Sequence, residues 1–221
     1  MSAQLEIACF NIQSAILAAA SGADRIELCL DYASGGLTPD PFDLARIRNR
    51  IKQPIYVMLR DSADFSVSFA GLQLLKHQLL ALKTAGADGF VFGFLDAGLA
   101  LEESSNRKLI ELADGLPCTL HRAFDVCVDK EKALEDAVIW GFSAILSSGG
   151  TTNALAGIKQ LNHWQAQTPE ITFIAGGGIR QANLPEILEK SDLRWYHSAA
   201  LTLDKNLTDP EEVQQLKSLL L

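Results

Sequence analysis

The sequence predicts an α/β fold, a (β/α)8 barrel built by residues 1–221 as one domain. Three observations carry that expectation. Short apolar runs of strand length alternate with helix-period patterns through eight repeats, the connections between them are a few residues long, and neither a low-complexity segment nor a shift in composition marks a linker. A 221-residue chain that is 48% hydrophobic can bury one large core. The competing architecture, a doubly wound open sheet, usually follows its first strand with a glycine-rich phosphate turn. Here Asn11-Ile-Gln-Ser14 stands in that place.

The first repeat runs from the strand Leu5-Glu-Ile-Ala-Cys9 into a helix with Ile12, Ala15, Ile16 and Ala19 on one face, closed by Gly22. Asp24-Arg-Ile-Glu-Leu-Cys29 is the second strand, followed by the glycine-rich loop Ser34-Gly-Gly-Leu-Thr-Pro39 and a helix carrying Leu44, Ile47 and Ile51. Strand three, Ile55-Tyr-Val-Met-Leu-Arg60, leads to a helix marked by Leu72, Leu75, Leu79 and Leu82. Gly89-Phe-Val-Phe-Gly93 is the fourth strand, and a helix through Leu109 and Leu112 precedes the fifth, which begins at Cys118. Leu134, Ala137 and Val138 share a helix face before strand six, Ala144-Ile-Leu-Ser147. Leu155, Ile158 and Leu161 precede Ile171-Thr-Phe-Ile-Ala175, and Leu184, Ile187 and Leu188 precede Arg194-Trp-Tyr-His197. Val213, Leu216 and Leu220 supply a final helix.

A formal net charge of -8 with no cluster of Lys and Arg argues against a nucleic-acid groove, because phosphate binding is carried mainly by clustered cations. The amino terminus lacks a basic segment with an apolar run behind it, and apolar stretches are broken by Gly, Asp or Lys well short of a membrane span. The expectation is a cytoplasmic protein with no membrane partner. Cys9, Cys29, Cys118 and Cys127 form no CxxC pair and are expected as reduced, buried small hydrophobes.

In parallel α/β folds ligands bind at the carboxyl ends of the strands, and several strands here end in polar residues. Counting alternate positions inward puts Glu6 and Ala8 on strand one, Glu27 and Cys29 on strand two, Tyr56, Met58 and Arg60 on strand three, and Thr119 and His121 on strand five. Glu6, Glu27, Arg60, His121, Ser147 and His197 are therefore expected in one central cavity or its rim. Such a set is costly to bury unless its members pair with each other or with a ligand. The candidate catalytic residues are Glu6, Glu27, Arg60, His121, Arg122, Asp125 and His197, with His121 as acid or base and Arg60 or Arg122 as charge clamp. The structural alternatives are an ion network of Glu6 and Glu27 with Arg25, Arg60 or Arg122, a core histidine satisfied by a backbone carbonyl, and an Arg122–Asp125 pair that only fixes its loop.

Gly176-Gly-Gly178, followed by Ile179-Arg180 and a helical pattern, is the second informative feature. Glycine lets backbone N–H groups approach an anion closely, and a helix start adds favourable dipole. Gly176, Gly177 and Gly178 are thus a candidate phosphate cradle, to which Ser147, Ser148 and Gly149 after strand six could add donors.

Taken in order, Glu6-Ile7, Gly22-Ala-Asp-Arg-Ile-Glu-Leu-Cys29, Gly35-Gly-Leu-Thr-Pro39, Thr119-Leu-His-Arg-Ala-Phe-Asp125, Leu146-Ser-Ser-Gly149, Ala175-Gly-Gly-Gly-Ile-Arg180 and His197-Ser-Ala199 resemble the motifs of the CutC family. The resemblance covers roughly residues 5–200 and implies a cytoplasmic barrel, a dimer or tetramer of like subunits, assigned by family naming to copper homeostasis. That is the first functional reading. The second is an enzyme acting on a small anionic metabolite. Two departures fall on the mouth. Family members usually begin strand one with Glu, an aliphatic residue and Cys, whereas this chain has Ala8, with Cys9 one position later and facing the other way. After strand three the family reads Arg-Pro-Arg-Gly-Gly-Asp-Phe, whereas this chain reads Arg60-Asp-Ser-Ala-Asp-Phe65. Cu(I) favours converging soft ligands. With Cys29 the one inward thiol at that level and Met58 a thioether beside it, Cu(I) binding is expected to be weak.

Overall fold

A computed structural model describes residues 3–202 and 206–221. Met1 and Ser2, part of the amino-terminal stretch read above for an export signal, lie outside that description. Eight parallel strands close in sequence order into one barrel: β1 (Gln4–Cys9), β2 (Arg25–Leu28), β3 (Ile55–Met58), β4 (Gly89–Phe92), β5 (Cys118–Leu120), β6 (Ala144–Ser147), β7 (Thr172–Ala175) and β8 (Trp195–Ser198). β1 pairs with β8, with Glu6 opposite His197, and with β2, with Ala8 opposite Glu27. Closure leaves no sheet edge to protect.

The connecting helices are α1 (Ile12–Ala20), α2 (Pro41–Arg48), α3 (Phe69–Thr84), α4 (Glu103–Ala113), α5 (Ala123–Val126), α6 (Lys130–Trp140), α7 (Ala154–Gln167), α8 (Leu184–Glu189) and α9 (Pro210–Leu219). Their starts are written locally. Asn11, Asp40, Ser68, Asp129, Asn153 and Asp209 each accept a backbone N–H at the first turn. Asn11, where an open sheet would carry its glycine turn, caps α1. Two sequence expectations are corrected and one element was not foreseen. Ile51 is buried but lies beyond the end of α2. The one-turn helix α5 after β5 has no apolar repeat long enough to announce it. The helix expected right after Gly178 starts only at Leu184 and runs to Glu189.

The main core fills the space between barrel and helices, and Cys9, Phe90, Phe92, Cys118 and Phe173 belong to it. The barrel interior is different. It holds two small apolar groups, one of Cys29, Met58 and Val91 and one of Ala144, Leu146 and Ile174, with polar residues between them. The inward count from sequence therefore holds for Cys29 and Met58, and Cys9 does face the helical layer. All four cysteines are buried and free. Among the described residues no helix is long and apolar enough to cross a membrane.

Candidate functional site at the barrel mouth

A cavity of about 490 Å³ opens at the carboxyl ends of the strands, and Glu27, Arg60, His121, Arg122, Asp125 and His197 all line it. Beneath it Glu6 ties the floor together. One of its oxygens accepts from Arg25 Nε at 2.5 Å and the other meets His197 Nδ1 at 2.7 Å. Arg25 also lies over the rings of Tyr56 and Trp195, 4.2 and 4.0 Å from their centroids, which offsets part of the cost of burying its guanidinium. Burial alone would raise the Glu6 carboxyl, but Arg25 and then His197 outweigh it and hold the group at about 2. His197 is itself pushed up despite its burial, by its bond to Glu6 and by the Glu27 carboxyl, whose Oε2 lies 3.9 Å from its Nε2. The ion pair of Glu6 with Arg25 that the sequence allowed is present.

Glu27 stands at the upper edge of this network. Burial raises its carboxyl group, with Glu6 adding to the effect and His197 opposing it. Its Oε2 receives the Cys29 thiol at 3.5 Å, while its Oε1 is buried with no partner. The same burial, reinforced by Glu27, drives the Cys29 thiol well above its ordinary value, so it sits here as a thiol rather than a thiolate. Ligand atoms of Glu6, Glu27 and His197 come within 4.8 Å of one another. They do not make a good cation site, because both Glu6 oxygens are taken by Arg25 and His197 and a metal ion would face the guanidinium.

Arg60 lines the cavity and also organises the loops around it. Its Nη1 donates to the carbonyls of Ser34 and Gly36, its Nε to Asp64 O and its Nη2 to Ala63 O, and its guanidinium covers the Phe65 ring. The shortened segment Arg60-Asp-Ser-Ala-Asp-Phe65 is thereby pinned to the Ser34–Gly36 loop. Phe10 and Tyr32, edge to face at 5.0 Å, add an aromatic lip. The sequence reading passed over these two because they lie beyond the strand ends, where the course of the chain is not periodic.

The expected anion donors divide in two. The Asp125 carboxylate, carried on α5, accepts from Ser147 Oγ at 2.5 Å, Ser148 Oγ at 3.0 Å, the Ser148 N–H at 3.1 Å, the Gly150 N–H at 3.1 Å and Arg122 Nε at 2.8 Å. Gly149 N–H donates to Ser147 Oγ, and Gly176 N–H to Ser147 O. Ser147, Ser148, Gly149 and Gly176 thus spend their donors inside the protein. The anion held by the Ser147–Gly150 turn is the chain's own Asp125. Ser147 does not line the cavity; its neighbour Leu146 does. Asp125 in turn acts as the anchor of that turn.

Gly177 and Gly178 remain. Both line the cavity, and neither N–H donates to another group among the described residues. Gly177 has φ +103°, and a Cβ there would lie 3.1 Å from Ser148 Cβ and 3.4 Å from Arg122 Nη1, so glycine keeps the Arg122 guanidinium against the loop. Arg122 is held by Asp125 and by Ser148 Oγ, which accepts from Nη2 at 2.8 Å, leaving Nη1 beside Gly177. Arg180, outside the sequence-derived set although it closes the glycine motif, lines the same wall and is fixed by Ile179 O and Ser198 Oγ.

A family model described as the CutC family matches residues 3–202. The chain belongs to the CutC family. It is 35% identical to the copper homeostasis protein cutC homolog of Caenorhabditis elegans, over 98% of this chain and 95% of that one. It is also 35% identical to the human copper homeostasis protein cutC homolog, over 89% of this chain and 72% of that one. A CutC crystal structure from Streptococcus agalactiae superposes with a TM-score of 0.84 at 23% identity, covering 90% of this chain and 100% of that one. At that identity the superposition speaks for the CutC fold alone, the closed barrel described above.

Proposed function

We propose that this CutC-family barrel is a cytoplasmic homo-oligomer whose cavity binds and acts on a small anionic metabolite. The anion is held by the N–H groups of Gly177 and Gly178 with Arg122 and Arg180, and the rest of the ligand lies toward His121 and Glu27. One observation carries the reading. In a chain of net charge -8, Arg60, Arg122 and Arg180 border one cavity, and of these three only Arg122 forms a salt bridge with a described residue. Arg60 and Arg180 have no ion pair among the described residues, and Arg122, paired with Asp125 through Nε, keeps Nη1 beside Gly177; such cations beside backbone N–H groups attract an anion. Four buried free cysteines suit a reducing compartment. The test is thermal unfolding and titration with inorganic phosphate. The expected result is a stabilisation that grows with phosphate concentration, with binding at least about tenfold weaker in Arg122→Gln, the loss of one charge-assisted contact. No stabilisation by phosphate, or equal stabilisation of the variant, would overturn it.

The second reading is the copper homeostasis carried in the relatives' names, and one contact favours it. Cys29 Sγ and the Met58 methyl converge beneath Gly36, where an added Cβ would lie 3.4 Å from each. A Cu(I) ion would meet one thiol, held protonated by burial, and one thioether, with Ala8 across the register from Glu27. In competition with a chromogenic chelator the wild type is expected to bind Cu(I) weakly, Cys29→Ala more weakly still, and Ala8→Cys at least about tenfold more tightly, as two thiolates replace one. Tight wild-type binding lost in Cys29→Ala, with no gain in Ala8→Cys, would refute this ligand geometry.

A further inference from the structure

The proton on His121 is located by its surroundings. The Ala123 N–H donates to Nδ1 at 3.2 Å, so in the neutral ring the one proton is on Nε2. Burial, and then the Arg60 cation, push the imidazolium down to about 3, so the ring is neutral at any ordinary pH. Phe65 packs edge-on at 5.2 Å and Gly93 leaves room behind Nδ1, which fixes the ring plane. The Nε2–H is buried, has no partner among the described residues and belongs to a residue that lines the cavity. It is a donor that can only donate, and it matches an oxygen that can only accept.

Glu27 also lines the cavity, and its Oε1 is equally buried and equally without a partner among the described residues. Its neighbours within the floor network satisfy Oε2 alone. A carboxyl oxygen in that position matches a ligand hydroxyl. Between these two atoms and the Gly177–Arg122 wall the cavity therefore presents three separate demands: an acceptor, a hydroxyl and an anion.

We propose that the ligand of this cavity is a small phosphorylated hydroxy-carbonyl compound, its carbonyl oxygen received by His121 Nε2–H, a hydroxyl by the Glu27 carboxyl and its phosphate by the Gly177–Gly178 wall. The proposal rests on the anion-site reading for the phosphate and goes beyond it in naming the groups at the other end. His121 polarises the carbonyl, and it does so as an uncharged imidazole.

Two measurements test it. In ¹⁵N spectra of imidazole-labelled protein, His121 is expected as the Nε2–H tautomer, unchanged from pH 8 to about 5. An Nδ1–H tautomer, or titration above pH 5, would overturn the proposal and leave the anion site standing. In calorimetric titration, dihydroxyacetone phosphate should bind at least about tenfold more tightly than sn-glycerol 3-phosphate, which lacks the carbonyl. His121→Phe should abolish that preference while inorganic phosphate affinity stays within about twofold, and His121→Gln, which restores an N–H, should recover part of it. Equal binding of the two esters by the wild type, or an unchanged preference in His121→Phe, sinks the proposal alone. Failure of both esters and of inorganic phosphate to bind the wild type sinks the anion-site reading, and this one with it.

Discussion

Asp125→Ala is expected to destabilise the protein by about 3–5 kcal/mol and to abolish phosphate binding at the mouth. The carboxylate is nearly enclosed, its side chain 7% exposed, and it collects the Ser147 and Ser148 hydroxyls, two backbone N–H groups and Arg122 Nε. Alanine strands the Ser147 hydroxyl and the two N–H groups, while the Ser148 hydroxyl keeps Thr151 O at 2.6 Å; each donor left buried without a partner costs about 1–3 kcal/mol, less what entering water restores. It also releases Arg122, so the Nη1 beside Gly177 loses its fixed position. Asp125→Asn keeps the shape and one acceptor oxygen and should fall between the two. Urea unfolding and phosphate titration of both variants check this; a loss below about 1 kcal/mol in Asp125→Ala would mean that the turn holds itself together without the carboxylate.

Glu6→Ala is expected to cost a similar amount, about 3–5 kcal/mol, for a different reason. It leaves the Arg25 guanidinium buried with no counter-charge, and Arg25 Nη2 already lacks a partner. The double variant Glu6→Leu with Arg25→Met removes both charges together and should recover most of the loss, because replacing a buried pair by apolar groups is often neutral. The same pair sets an acid limb. The Glu6 carboxyl is held at about 2, below its ordinary 4.5, so its contribution is complete above pH 4.5 and is lost as pH falls toward 2. At about 1.4 kcal/mol per unit the limb is worth roughly 3 kcal/mol, and Glu6→Gln should lack it. Stability curves of wild type and Glu6→Gln that run parallel between pH 5 and 2 would refute the assignment.

The fold was legible because a (β/α)8 barrel repeats one unit, and each unit announces itself locally through strand alternation, an apolar helix face and a cap such as Asn11 or Asp209. The inward count along β1, β2, β3 and β5 followed from the same period, since a strand's side chains alternate whatever surrounds them. Glu27, Arg60, His121 and His197 were therefore brought to one cavity on sequence grounds. Their roles were not legible. Arg60 turned out to serve the two loops it joins, and Ser147 to serve Asp125, because which partner a polar group meets depends on segments that are distant in the chain.

By sequence alone, then, the chain determined its barrel, its CutC motifs and the alternation that turns Cys29 inward and Cys9 outward, all of which rest on periods and local chemistry. Only the tertiary structure decided that the Ser147–Gly150 turn closes on Asp125, and that the N–H groups of Gly177 and Gly178 and the His121 Nε2–H meet no partner among the described residues. The physical reason is that a hydrogen bond is a contest among all donors and acceptors within about 3 Å, and barrel closure brings together groups that lie far apart in sequence.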